Sequence, residues 1–210
     1  MSIRIIILVL CFNYIALSQT AAEIVEEIQE KYEEMDNLTA EFLQVDQFKL
    51  TGSKNEMKGK IYIKEGVKYR LETDDQVVVT DGKSVWTYSK HNNQVLIDRL
   101  KEGDGSLLPR DLLFKYPNDY FATLLGEDEL NRKNCFLLKL DPKEDVHGFI
   151  QTMKIWVDSD SYIIYKIKYT DFNDNISLFE IKSINTDKEL PDSFFNFKIK
   201  EGIDVVDLRM

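Results

Sequence analysis

The sequence predicts a mainly β protein with a few helices, built around an antiparallel sheet of about eleven strands. Three observations carry this. Residues 58–100 alternate apolar and polar side chains, so that Val67, Tyr69 and Leu71 fall on one face and Lys68, Arg70 and Glu72 on the other. Turn pairs at Glu65-Gly66, Asp74-Asp75, Asp81-Gly82 and Asn92-Asn93 cut this stretch at hairpin spacing. The alternation returns after Cys135 and runs on toward the C-terminus.

Residues 1–18 read as a cleaved signal peptide. Arg4 is their only charge, Ile5–Leu10 is solidly apolar, and Ala16-Leu17-Ser18 offers a small-residue exit. The apolar run is shorter than the ~20 residues of a spanning helix. Lipid attachment at Cys11 is disfavoured by Leu10, because lipidation signals place a small residue before the cysteine. Residues 19–210 are then expected to form one domain, with no linker or repeat dividing it.

Ala21–Met35 reads as a helix: Ile24, Ile28, Tyr32 and Met35 form one stripe, and glutamates fill the other side. Leu38–Leu50 reads as a long strand, followed by a meander of four or five strands to Leu100. Residues 101–133 differ. Their apolar clusters recur every three to five residues, which favours short helices, and the segment is long enough to act as a lid. Five further strands are expected at Cys135–Leu140, Phe149–Val157, Tyr162–Thr170, Ile176–Ile184 and Phe194–Ile199.

The composition argues against several functions. The net charge is −10, and −11 once Arg4 leaves with the leader, so phosphate-rich partners are repelled and nucleic-acid binding is not expected. His91 and His147 have no metal-ligand partner at short spacing, and no phosphate loop, Cys-x-x-Cys or nucleophile elbow is present. Asp74-Asp75 and Asp158-Ser159-Asp160 lack calcium-loop spacing and read as turns. Cys135 opens an apolar strand and reads as a buried thiol. No enzyme activity, cofactor or metal is expected.

Five pieces, in order, give the chain a resemblance to the periplasmic outer-membrane lipoprotein carriers of the LolA type. They are the helix followed by Ala40-x-Phe42-x-Gln44; Gly59-x-Ile61-Tyr62-Ile63 leading to Val67-x-Tyr69-Arg70-x-Glu72; Val79-x-Asp81-Gly82-Lys83-x-Val85-Trp86-x-Tyr88; Leu108-Pro109 before Leu112-Leu113; and Phe195-x-Phe197-x-Ile199-x-x-Gly202-x-Asp204-Val205-x-Asp207.

The resemblance implies an incomplete, unclosed antiparallel β-barrel with helices forming a lid over a hydrophobic cavity. It implies a monomeric periplasmic carrier that takes acylated lipoproteins from an inner-membrane ABC transporter to an outer-membrane acceptor. The family's cavity aromatic falls on Tyr69 and its neighbouring wall on Leu71 and Val78. Further wall candidates are the apolar-face residues Phe42, Ile61, Ile63 and Val67, and across the sheet Met153, Ile155, Ile163, Tyr165 and Ile167. The helix contributes Ile28, Tyr32 and Met35 to the lid, and the later segment Leu108, Leu112 and Leu113. One departure stands out: where the family often has a basic residue and a proline before the third strand, this chain has Glu65-Gly66. The alternatives are a ligand-sensing or receptor-type lipid-binding module of the same fold, or a lipid hydrolase.

Overall fold

A computed structural model describes residues 19–100, 120–143 and 149–209. The predicted leader and the lid residues Leu108, Leu112 and Leu113 lie outside them. The described residues form α1 (Ala21–Glu33) and one sheet of twelve strands. The first half of the sheet is β1 (Asn37–Gln47), β2 (Lys54–Lys64), β3 (Lys68–Thr73), β4 (Gln76–Thr80), β5 (Ser84–Ser89) and β6 (Gln94–Arg99). The second is β7 (Tyr120–Leu130), β8 (Lys133–Pro142), β9 (Ile150–Asp158), β10 (Ile164–Asp171) and β11 (Ile176–Asn185), with β12 (Asp204–Asp207) last.

The strand order is β12-β6-β5-β4-β3-β2-β1-β11-β10-β9-β8-β7, so among the described residues β7 and β12 are the sheet's edges and the barrel is not closed. Two meanders meet at β1, which pairs with β2 on one side and β11 on the other. Every pairing is antiparallel except that of β12 with β6.

Hairpin chemistry fixes the registers. Glu65 and Gly66 join β2 to β3 with φ of 51° and 63°. Both values are left-handed, matching the sheet's own twist. The Val67 N–H donates to the Lys64 carbonyl at 3.3 Å, and Lys64 pairs with Lys68 across the three-residue connection. A proline at position 66 could not adopt this angle. Glu65 then ion-pairs with Lys68 at 3.0 Å, and Lys68 also reaches Asp192 at 3.1 Å.

Two expectations fail. Tyr120–Leu130 is strand β7, not helix. Tyr120, Ala122 and Leu124 point inward in strict alternation, and then a bulge between Leu124 and Gly126 breaks the period of two. Exposed Phe121 and Leu125 beside inward Tyr120 and Leu124 make apolar pairs four residues apart, which is the helix-like spacing. Phe194–Ile199 is not a strand. Asp192–Phe195 makes a single 3-10 turn after Pro191, and the chain then crosses the outer face of the sheet before β12 adds a strand parallel to β6. These changes bring the strand count to twelve.

That crossing segment gives the sheet a second core. Cross-strand partners share a face, and Glu72, Val77, Tyr88 and Val95 line up across β3–β6, as do Arg70, Val79, Trp86 and Ile97. Val77, Val79, Val95 and Ile97 are buried on this outer face, and Phe195 is fully buried. Phe194 meets Tyr62 edge-on with ring centroids 4.8 Å apart, and Phe197 lies over Tyr88 at 5.4 Å. The crossing is also tied by Lys64, which donates to the Leu190 carbonyl at 2.9 Å and pairs with Asp192 at 2.8 Å.

At the far end of the sheet, the turn after β9 closes on Asp158. Its carboxylate accepts from the Ser161 hydroxyl at 2.7 Å, the Ser161 N–H at 2.8 Å and the Lys133 ammonium at 3.1 Å. Burial pushes the Asp158 pKa up, but these donors outweigh it and hold the group below its ordinary value. A depressed carboxyl stabilises the fold above its unfolded pKa and loses that stabilisation as pH falls through the folded one. Urea titrations from pH 5 downward are expected to show this acid sensitivity in the native chain. Asp158→Asn should be less stable by about 1–3 kcal/mol at neutral pH and should show a shallower acid slope.

Candidate functional site

The inner face is apolar because of register. Leu38, Ile63 and Tyr69 are successive cross-strand partners, as are Ala40, Ile61, Leu71 and Val78. Across β1 the row continues through Phe42 opposite Ile181, and farther on through Phe179, Ile167, Ile155 and Leu138. Phe42 stacks on Phe179 with centroids 4.7 Å apart. Gly59, opposite Phe42, makes room for that ring: a Cβ on Gly59 would lie 2.7 Å from Phe42 Cζ.

α1 covers this trough. It starts in a capping box, with Thr20 Oγ1 accepting from the Glu23 N–H and the Glu23 carboxylate accepting from the Thr20 N–H. Its buried stripe is Ile24, Ile28 and Tyr32, all packed into the inner core. The Tyr32 hydroxyl accepts a 3.2 Å hydrogen bond from the Ile164 N–H, across the break in the β9–β10 register between Ile164 and Lys166. Burial pushes the Tyr32 pKa well up, so its hydroxyl stays protonated. Gln19 adds a contact to the Tyr162 hydroxyl at 2.9 Å.

Between helix and sheet remains a small apolar cavity of about 20 Å³, lined by Tyr32, Leu38, Ala40, Ile61, Ile63 and Phe179 among others. That volume holds about one water molecule. Among the described residues, this part of the trough is filled by its own side chains and by α1.

Most of the sequence-predicted residues converge on this core. Ile28, Tyr32, Phe42, Ile61, Ile63, Tyr69, Met153, Ile155 and Ile167 are buried together. Met35, Leu71, Val78 and Tyr165 are half-buried against them. Val67 does not join: it sits in the turn before β3 and is 43% exposed. Ile163 is buried but lies outside this cluster. Sequence reasoning missed Leu38, Ala40, Phe179, Ile181 and Ile184. The last three lie on β11, whose bulged register against β1 hides the alternation.

Tyr32→Phe would leave the Ile164 N–H unpaired in the interior, at a cost of about 1–3 kcal/mol. Hydrogen exchange at the Ile164 amide and across α1 is expected to accelerate roughly tenfold or more, since ~1.4 kcal/mol is one decade. Unchanged protection would show that this bond does not hold the helix down.

Among the described residues, no group of three or more His, Cys, Asp or Glu is placed to hold a metal ion, and no helix is long and apolar enough to cross a membrane. Cys135 is buried, and burial raises its thiol pKa.

An unclosed antiparallel barrel with a helix laid over its apolar inner face defines the class of half-barrel proteins with a covered trough. Residues 33–198 match the family model described as outer membrane lipoprotein carrier protein LolA, and the chain belongs to that family. It is 27% identical over 209 residues to an outer-membrane lipoprotein carrier protein of Legionella pneumophila, covering 96% of each chain. It is also 27% identical to the Haemophilus influenzae protein of that name, covering 90% of this chain and 89% of the other. An uncharacterized protein of Methanocaldococcus jannaschii is 28% identical, and the match covers 87% of this chain but only 52% of the relative's length. Among solved structures, an uncharacterized conserved protein from Thermus thermophilus superposes with a TM-score of 0.61 at 15% identity, over 90% of this chain and 99% of the other. MucB superposes at 0.55 and 16% identity, over 85% of this chain and 62% of the other. These two show the shared fold.

Proposed function

We propose that the chain is a carrier for the acyl chains of lipoproteins, held in the trough between the half-barrel and α1 and moved between an inner-membrane ABC transporter and an outer-membrane acceptor across the periplasm. The observation that carries this reading is the continuous apolar inner face, from Leu38 to Leu138, covered among the described residues by the single helix α1. Family membership and the names of the Legionella and Haemophilus relatives support it.

The energetics suit the task. Each methylene withdrawn from a bilayer into water costs ~0.8 kcal/mol, so one sixteen-carbon chain costs on the order of 10 kcal/mol. Only a dry binding surface can offset that. Undocking α1 exposes such a surface, and the acyl chain then replaces the contacts of Ile24, Ile28 and Tyr32. Phe42, Ile61, Ile63, Tyr69, Leu71, Val78, Met153, Ile155 and Tyr165 are the residues proposed to meet it.

The test is co-expression with a triacylated lipoprotein, followed by native mass spectrometry of the purified chain. A one-to-one complex that is lost when the cargo's lipidated cysteine is replaced by serine is the expected result. Binding that persists without the lipid, or no complex at all, overturns the reading.

A further inference from the structure

The outer face carries a feature that the carrier reading does not use. Where residues 193–203 arch over β3–β5, they leave a pocket of about 380 Å³ between themselves and the sheet. That is within the ~300–1,000 Å³ of small-molecule sites. Its floor is Val77 and Tyr88, and its walls are the rings of Phe194 and Phe197. Its charged lining groups are Arg70, Lys198 and Lys200, and no carboxylate lines it.

Three cations around an aromatic slot are unusual on a chain of net charge −10. Arg70 is held in place: its Nε donates to Glu72 at 2.6 Å, and its guanidinium sits 4.9 Å from the Phe194 ring centroid. Glu72 offsets part of that charge. Lys198 and Lys200 are exposed and make no ion pair among the described residues. The pocket thus pairs an aromatic lining with an excess of positive charge from Lys198 and Lys200.

We propose that this pocket binds a small aromatic anion: a planar ring laid in the space bounded by Val77, Phe194 and the packed Tyr88–Phe197 pair, with a single carboxylate or phosphate monoester facing Lys198 and Lys200. Exposed ion pairs contribute only ~0–1 kcal/mol each, so ring burial supplies most of the affinity and the charges supply the selectivity. The site faces away from the trough and stands whether or not the trough carries lipid.

The test is a titration of the full chain with phenyl phosphate, followed by amide chemical shifts. Shifts confined to Tyr88, Phe194, Phe197 and Lys200 are expected, with benzyl alcohol, the uncharged comparison, binding at least tenfold more weakly. Lys198→Glu combined with Lys200→Glu should weaken phenyl phosphate at least tenfold without moving the unfolding midpoint, since both side chains are at the surface. Shifts that map to the inner face around Ile61 and Phe179, equal binding of the alcohol, no binding, or insensitivity to the double charge reversal would each overturn the assignment.

Discussion

Gly59→Ala is expected to lower the unfolding midpoint by about 5–10 °C. The added methyl carbon would stand 2.6 Å from the Glu72 carbonyl oxygen and 2.7 Å from the Phe42 ring. The first contact is with backbone held in the β2–β3 ladder, where Gly59 is paired to Thr73. The second is with a ring already fixed by stacking on Phe179. Neither can give way cheaply. Overfilling a packed interior costs ~1–3 kcal/mol, and each kcal/mol moves the midpoint of a chain this size by about 2–4 °C. Combining Gly59→Ala with Phe42→Leu separates the two clashes. The smaller side chain relieves the ring contact and not the carbonyl one, so the double variant should be less destabilised than the sum of the two single variants, with the carbonyl clash remaining. Scanning calorimetry reads the result, and a single variant with an unchanged midpoint would mean that the sheet yields at this point.

The second large effect is expected from Ile24→Asp. Ile24 is fully buried on the sheet-facing stripe of α1. An ionised carboxyl there has no partner and costs several kcal/mol. The strands keep their own ladders, so the weaker joint between helix and sheet is expected to fail first. α1 should undock while the sheet persists. The trough then becomes visible to an apolar dye such as anilinonaphthalene sulfonate, and exchange across residues 21–33 rises. The pH dependence has a definite sign. Burial raises the introduced carboxyl's pKa in the docked state, so docking is favoured at low pH and is lost as pH rises through that raised value. Dye fluorescence should be low near pH 4 and high at pH 7. Loss of the whole β signal together with the helix would show that α1 is integral to the sheet's stability.

Much of the architecture could be read from the residues because local chemistry and fold agree in the β1–β6 half. Alternation along Lys68–Thr73, the Glu65-Gly66 pair and the Asp81-Gly82 turn each specify one geometry, and the structure uses it. The helix stripe was equally plain, since Ile24, Ile28 and Tyr32 repeat at a helical period. Legibility failed where an element answers to a distant partner. In β7, exposed Phe121 and Leu125 stand beside inward Tyr120 and Leu124, so apolar pairs recur four residues apart as on a helix. Phe194–Phe197 alternates like a strand, yet its rings go to Tyr62, Tyr88 and the outer valines without forming a ladder. The run Val77-Val78-Val79 already signalled a strand buried on both sides. Reading Val78 alone as the dry position overlooked that Val77 and Val79 face a second core. Among the wall candidates, Val67 failed for a simpler reason: it lies in the hairpin turn before the ladder begins at Lys68, and is exposed there.

The pairing of β12 with β6 has a bearing on biosynthesis. Residues 94–99 leave the ribosome long before residues 204–207, so for that interval the β6 margin presents bare amides and carbonyls. Unpaired margins of this kind recruit other chains. Chains truncated after β11 would keep this margin open and should self-associate, whereas residues 204–207 cover it with the short, exposed strand β12.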